Sequence, residues 1–393
     1  MAPVAPEYFC DRVEESARLI KSVTNGNNLV IISPRRMGKT GLIQFCYDKP
    51  EIREEYYTFF IDILHTSSLR EFTYLLGRQI YETLLPRSRK MIKLFIQTIK
   101  SISGKFGFDP ANNLPTFNIE LGDIEQPEYT LDEIFSYLSH ADKPCIVAID
   151  EFQQIAKYPE HNIEALLRTH IQKLDNSNFI FAGSERHMMQ EMFMSAARPF
   201  YHSADVLELN AIDAEKYVPF VVGHFEETNR HIDASDVKRV YDLFNGHTFY
   251  IQKTFNESFA DTREGEVCTL DTIRTAINNI IASNDTIFRE ILSNIPEKQK
   301  ELLYAIAKDI KKASKAVSFH HFRIQKRSIA FIGPVIEMWI KTTYKFFTEA
   351  FHNQHHHIHR TELHGISRNM KRSINLFRFR ICQILRNHKC RFS

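Results

Sequence analysis

Between Leu29 and Asp48 the sequence passes from a short β-rich string, Leu29-Val-Ile-Ile-Ser33, through Pro34-Arg-Arg-Met-Gly38-Lys39-Thr40-Gly41, into an apolar helical pattern over Lys39–Asp48. No other stretch restricts the fold as much. It fits GxxxxGK[ST], with Ser33 in the first glycine position. A loop of this spacing wraps an anion so that successive main-chain N–H groups point inward. Gly38 would let the backbone approach closely. Lys39 would reach the β- and γ-phosphates, and Thr40 would offer its hydroxyl to Mg²⁺. The helix that follows would aim its positive N-terminus at the anion. Ser33, Pro34, Arg35, Arg36, Met37, Gly38, Lys39, Thr40 and Gly41 are therefore the candidate nucleotide-binding residues. Ser33 is a compact replacement that asks for a slightly different turn. The competing explanation is a chance match, but the strand before and the helix after supply the context the motif requires.

Four more apolar runs follow the same rhythm: Tyr57–Ile63, Cys145–Ile149, Asn178–Gly183 and the weaker Val206–Leu209. They lack alternation, which suits strands buried on both faces. Helical patterns lie among them at Leu69–Leu85, Leu131–Leu138 and Glu164–Leu174. Strands alternating with helices predict a parallel sheet with helical crossovers. Arg87–Ser103 reads as an extra helix and Gly107–Gly122 as a turn-rich excursion, together an insertion. From Asp213 the strands stop. Asp213–Asn229, Asp233–Asn245 and Leu270–Leu292 read as helices, with Asp213, Asp233 and Thr269 as N-caps and Gly246 past a C-terminus.

The run Ile146-Val-Ala-Ile ends in Asp150-Glu151. An Asp at such a strand end can hold Mg²⁺, often through water, and the next Glu can polarise an attacking water. Alone, the pair also fits an ordinary surface turn. Ser184, ending the next run, is a candidate γ-phosphate sensor or a plain loop serine. Arg198, with Arg186 as a second choice, is a candidate for neutralising transition-state charge; either also reads as a surface arginine. Arg35 and Arg36 could touch phosphate, face a neighbouring domain or be solvated.

At 393 residues and 43% hydrophobic, the chain suits two or three globular domains and excludes whole-chain disorder. Six cysteines without a CxxC pair argue against a zinc ribbon, a redox motif or a disulfide framework. The first residues, MAPVAPEYFC, do not read as a secretory signal. Ser328–Ile340, the longest late apolar stretch, is short of the ~20 residues a spanning helix needs. A cytoplasmic protein with reduced thiols and no membrane partner is the expectation.

Charge is uneven. Lys311–Ser393 holds 17 Lys and Arg against three acids, a balance of +14, and half of the 18 His. Residues 1–310 hold 33 basic against 45 acidic residues, a balance of −12. Five His between 352 and 359 lack the Cys or carboxylate pattern of a metal site and read as a solvated run.

Ile31-Ile-Ser-Pro-Arg-Arg-Met-Gly-Lys-Thr-Gly-Leu42 resembles the phosphate loop of the archaeal-type P-loop ATPases, relatives of AAA+ and STAND ATPases. Tyr8-Phe-Cys-Asp-Arg12 resembles that family's N-terminal motif near the adenine, which adds Arg12 to the nucleotide-binding candidates. Ala148-Ile-Asp-Glu-Phe-Gln153 resembles its acidic strand. Gly183-Ser-Glu-Arg-His187 and Arg198-Pro-Phe-Tyr201 resemble its next two signatures, and Asn245–Gln252 resembles a helical-domain segment that approaches the nucleotide. The order of the motifs is right over about residues 5–310. The resemblance implies ATP and Mg²⁺ as cofactors.

The expected fold class is α/β: a three-layer P-loop NTPase core with a parallel sheet (1–210), an all-α lid (211–295) and an atypical C-terminal region (296–393). ATP would sit between core and lid. Lys39 and Thr40 would hold phosphate and metal, Asp150 would support the metal, and Glu151 would activate water. Lid closure would report ATP or ADP. Leu302–Lys308 resembles the first helix of a winged helix, after which the pattern is lost. A basic DNA-binding module, a divergent domain and an altered reading frame remain three readings of that tail. A protein partner or DNA is expected besides the nucleotide. Fast hydrolysis would make the chain a motor; slow hydrolysis would make it a regulatory switch.

Overall fold

The computed structural model describes residues 10–108, 115–117 and 119–294. The chain divides into two compact units, parting between Ile212 and Asp213. The first contains strands β1 (Leu29–Ile32), β2 (Tyr57–Asp62), β3 (Phe106–Phe108), β4 (Pro115–Phe117), β5 (Cys145–Asp150), β6 (Ser177–Gly183) and β7 (Asp205–Glu208). Its helices are α1 (Val13–Thr24), α2 (Lys39–Tyr47), α3 (Pro50–Arg53), α4 (Leu69–Leu84), α5 (Arg89–Thr98), α6 (Pro127–Ser139), α7 (Ile163–Gln172) and α8 (Arg186–Met194).

Five strands form a parallel sheet in the order β2-β5-β6-β1-β7. All of β1 and all of β5 are buried, which is why their sequences read as unbroken apolar runs. Successive side chains point to opposite faces, so one strand feeds two cores. Val30, Ile32, Phe59, Ile61, Val147, Ile149, Phe179 and Phe181 enter a large core with α4–α8. Leu29, Ile31, Ile146, Ala148, Ile180 and Ala182 enter a smaller one with Leu19 and Val23 of α1 and Leu42, Ile43 and Cys46 of α2. Helix–sheet–helix layering results.

The insertion is more integral than its sequence suggests. Met91, Ile92 and Phe95 of α5 and Ile99 after it are buried in the large core. A 3-10 turn at Lys100–Lys105 follows, and Glu133 of α6 caps it: Oε1 accepts from Lys100 N at 3.0 Å, and Oε2 from Ser101 N at 3.1 Å and Ser101 Oγ at 2.6 Å. The turn-rich excursion contains a hairpin, with β3 and β4 pairing antiparallel. Its strands are three residues each, too short to show a period in the sequence.

In the second unit β8 (His231–Ile232) and β9 (Val267–Cys268) accompany helices α9 (Ala214–Glu226), α10 (Ala234–Leu243), α11 (Thr248–Ala260), α12 (Leu270–Ser283) and α13 (Asp285–Ser293). The all-α expectation needs a small correction, because β8 and β9 form a two-residue parallel ladder. Asp233 and Thr269 cap as expected, accepting from Ser235 N and Thr272 N. Asp213 stands at its N-cap without a side-chain cap bond. Gly246 takes φ +71° behind α10. The long helix expected over Leu270–Leu292 breaks at Asn284, whose amide donates to Ile280 O at 2.7 Å. A side chain that satisfies local carbonyls competes with helix continuation. The Leu302–Lys308 string, the basic tail and its His run lie outside the described residues.

Candidate functional site

The carboxyl ends of the five strands form one edge, the usual place for ligands on an open parallel sheet. In register, Asp62 stands beside Asp150, and Gly183 and Glu208 flank Ile32. The loop from Ser33 to Gly38 leaves this edge between β1 and α2. Gly38 has φ +92°, where a side chain is strained, yet an added Cβ would meet nothing within 4 Å. Its need for glycine within the protein is conformational. Ser33 lies outside the positive-φ residues. The replacement of the first glycine therefore fits, with Ser33 buried and its Oγ donating to Pro34 O at 3.1 Å. Pro34 and Arg36 are exposed, Met37 is buried, and Gly41 is half-buried in the first turn of α2.

Loop and acidic strand meet directly. Thr40 Oγ1 donates to Asp150 Oδ2 at 2.7 Å across 110 residues of sequence. Asp150 Oδ1 accepts from Glu151 N at 2.9 Å. Glu151 takes φ +55°, a conformation few non-glycine residues hold. Its Oε2 accepts twice, from Ser184 Oγ at 2.6 Å and from Gln153 Nε2 at 2.5 Å. Oε1 has no hydrogen-bond partner among the described residues. Ser184 in turn accepts from Arg35 Nε at 3.4 Å.

Lys39 is 6% exposed. Burial pushes its ammonium below the ordinary lysine value, against the pull of Asp150 and Glu151. Burial pushes the Glu151 carboxyl upward, but the Ser184 hydrogen bond, the Lys39 charge and the Gln153 hydrogen bond outweigh it and hold the group below the ordinary range. Asp62 is raised by burial, and by Asp150 and Glu151 beside it, although Leu64 N–H works the other way. The site is thus a buried cation facing three carboxylates.

The other candidates are placed differently. Arg12 is buried as a clamp: Nη1 donates to Glu15 at 2.6 Å, while Nη2 reaches Asn210 O at 2.7 Å and Met37 O at 3.4 Å. Arg198 pairs with Glu164 at 2.7 Å and Glu191 at 3.8 Å. Arg186 pairs with Glu208. Neither arginine has a contact to the Asp150–Glu151 pair. Three contributors were not singled out from sequence. Asp62 ends a strand as Asp150 does, a parallel that was legible. Gln153 carries only a positional hint, two residues after Glu151. Gly183 leaves room for two side chains: a Cβ there would lie 2.4 Å from Met189 Cγ and 2.6 Å from Gln153 Oε1, so both would have to shift.

The Thr40–Asp150 pair offers hard oxygen donors and fits Mg²⁺, which keeps several waters and takes few protein ligands. No cluster of three or more His, Cys, Asp or Glu able to hold a metal by itself occurs among the described residues. No described helix is long and apolar enough to cross a membrane.

Residues 9–254 match the family model described as an ATPase domain predominantly from Archaea. The chain belongs to this family. Among solved structures, this archaeal-type P-loop ATPase is similar to the Walker-type ATPase of Pyrococcus abyssi, at 18% identity and TM-score 0.55, over 87% of this chain and 98% of that one. It is also similar to the Aeropyrum pernix ORC2 protein, solved with ADPNP and ADP, at 13% identity and TM-score 0.55, over 89% and 98%. At such identity these likenesses show the fold alone: the five-stranded parallel sheet of a P-loop NTPase. No curated protein matches.

Proposed function

We propose that this ATPase binds ATP with Mg²⁺ and hydrolyses it, and that the presence or absence of the γ-phosphate drives or times a conformational change. One observation carries the reading: Thr40 of the phosphate loop and Asp150 of a strand two places away share a 2.7 Å hydrogen bond, with Lys39 buried in the field of Asp150 and Glu151. A chance loop–helix match has no reason to gather these groups. Lys39 would hold the β- and γ-phosphates. Thr40 and Asp150 would hold the metal, which supplies charge neutralisation on the phosphates. Glu151, whose Oε1 is unengaged among the described residues, would accept the proton of the attacking water. Ser184 would sense the γ-phosphate. The core (1–210) and helical lid (211–295) would be the bodies that move. DNA or a protein would be the partner.

The test is ATP turnover with and without magnesium, on wild type, Lys39→Ala and Glu151→Gln. Glu151→Gln should keep ATP binding and lose about 10²–10⁴-fold in kcat. Lys39→Ala should lose both binding and turnover. Equal rates in all three proteins would remove the assignment. A basal rate of ~1 s⁻¹ or more marks a motor, and a far slower one with retained ADP marks a switch.

A further inference from the structure

Arg198 and Arg186, the arginines that sequence offers for neutralising charge, are both held by carboxylates: Arg198 by Glu164 and Glu191, Arg186 by Glu208. Arg35, inside the phosphate loop, is not so held. Its Nε donates to Ser184 Oγ at a long 3.4 Å, and its Nη2 is buried with no acceptor among the described residues. A guanidinium has five donors and no means of losing its charge. A buried donor of that kind without an acceptor is costly, and an unfilled one calls for an oxygen that arrives from elsewhere. Arg198 Nε is also unpartnered, but the terminal nitrogens of that side chain already meet carboxylates.

The surroundings say which oxygen. Arg35 lies close enough to Lys39 to disfavour its charge and to Glu151 to favour its ionisation. It shares Ser184 with Glu151. A ligand oxygen reaching Arg35 Nη2 therefore lies beside the carboxylate assigned to the attacking water. In a nucleoside triphosphate that neighbour is the terminal phosphoryl group, not the α-phosphate, which lies two phosphorus atoms from the water.

We propose that Arg35 is a further catalytic residue, a charge neutraliser built into the phosphate loop that exchanges its contact with Ser184 for the γ-phosphate. This rests on the ATPase reading above. The planar fork suits a phosphoryl group better than a lysine would. The charge spreading over the equatorial oxygens in the transition state is what it would stabilise. Once the γ-phosphate has gone it would return to the Ser184 contact.

The experiment measures affinities for ADP, for ATP and for ADP with aluminium fluoride, all with magnesium, alongside kcat. Proteins are wild type, Arg35→Ala and Arg35→Lys. Melting curves verify folding, and Arg35→Lys keeps the long stem should Arg35→Ala misfold. The expected result is an ADP affinity within about threefold of wild type in both variants. The transition-state complex should weaken at least 100-fold in Arg35→Ala, and kcat should fall about 10²–10³-fold, the usual loss for one such donor. Arg35→Lys should fall between, because it keeps the charge and loses the fork. Equal weakening of all three ligands would overturn the proposal in favour of a loop-shaping role, as would no change in any. A wild type that binds no nucleotide would overturn the ATPase reading and this proposal with it. A wild type that hydrolyses ATP beside an unchanged Arg35→Ala overturns the proposal alone.

Discussion

At the level of single residues, Lys39 shows how the site is balanced against the fold. Its charge is net disfavoured by burial even with Asp150 and Glu151 nearby. A lysine whose folded value is depressed destabilises the protein below that value, and the penalty is relieved as pH rises towards the unfolded value of about 10.4. At neutral pH Lys39→Met should therefore leave the nucleotide-free chain no less stable while it loses ATP binding. Urea unfolding with and without ATP would show both effects. Glu151 runs the other way. Its folded value is depressed, so it adds stability that is present above the unfolded value and lost as pH falls through the folded one. Gln153, 2% exposed, helps set that depression. In Gln153→Met the acid limb of the pH–rate profile should move to higher pH, with ATP affinity held within about threefold. An unmoved limb would confine Gln153 to packing. Most of the site was legible in the sequence, because the chemistry confines Gly38-Lys39-Thr40 and Asp150-Glu151 to fixed spacings and strand ends. Ser184, a guess from strand order, does touch Glu151. Gln153 escaped because nothing local marks a glutamine that will turn back on its neighbour. Arg198 looked free because Glu164, the nearer of its two carboxylates in space, is distant in sequence.

Among elements, the turn after β5 matters most. Phe152 anchors it: its ring is fully buried, with centroids 4.6 Å from Phe181 and 5.2 Å from Phe200. These contacts hold the backbone where Glu151 adopts its positive φ. Phe152→Ala should cost about 3–5 kcal/mol of stability, read as a lower urea midpoint. The insertion is held by a different device, the three bonds that Glu133 accepts from residues 100 and 101. Glu133→Gln should lose about 1–3 kcal/mol and speed amide exchange at residues 100 and 101. Nucleotide affinity should not change. Long elements with strong patterns were readable: β1, β5, β6 and α2 fall within a residue or two of expectation. The hairpin of β3 and β4, the ladder of β8 and β9 and the break at Asn284 were not, since two- and three-residue strands have no period. α8 and α11 went unread because both begin inside strings that drew attention as motifs.

At the scale of the whole molecule, every site residue named above lies in the unit Met1–Ile212. Nucleotide should therefore stabilise that unit directly. At 100 times Kd a ligand adds about 2.7 kcal/mol to the state that binds it. Calorimetry of the full chain should show a melting transition rising with Mg²⁺–ATP, and Thr40→Ala should lose the magnesium-dependent part of the rise. A rise that Thr40→Ala retains in full would move the metal elsewhere.

The sheet order sets one last dimension. Because β6 lies between β1 and β5, the strand that launches the loop and the strand that bears the acids are two rungs apart, ~9–10 Å at the usual spacing. Side-by-side strands, at about half that gap, would press the ammonium against the carboxylates with no room for cargo. On the proposed reading the intervening rung acts as a shim, leaving space for a phosphoryl group and a water between the two strand ends.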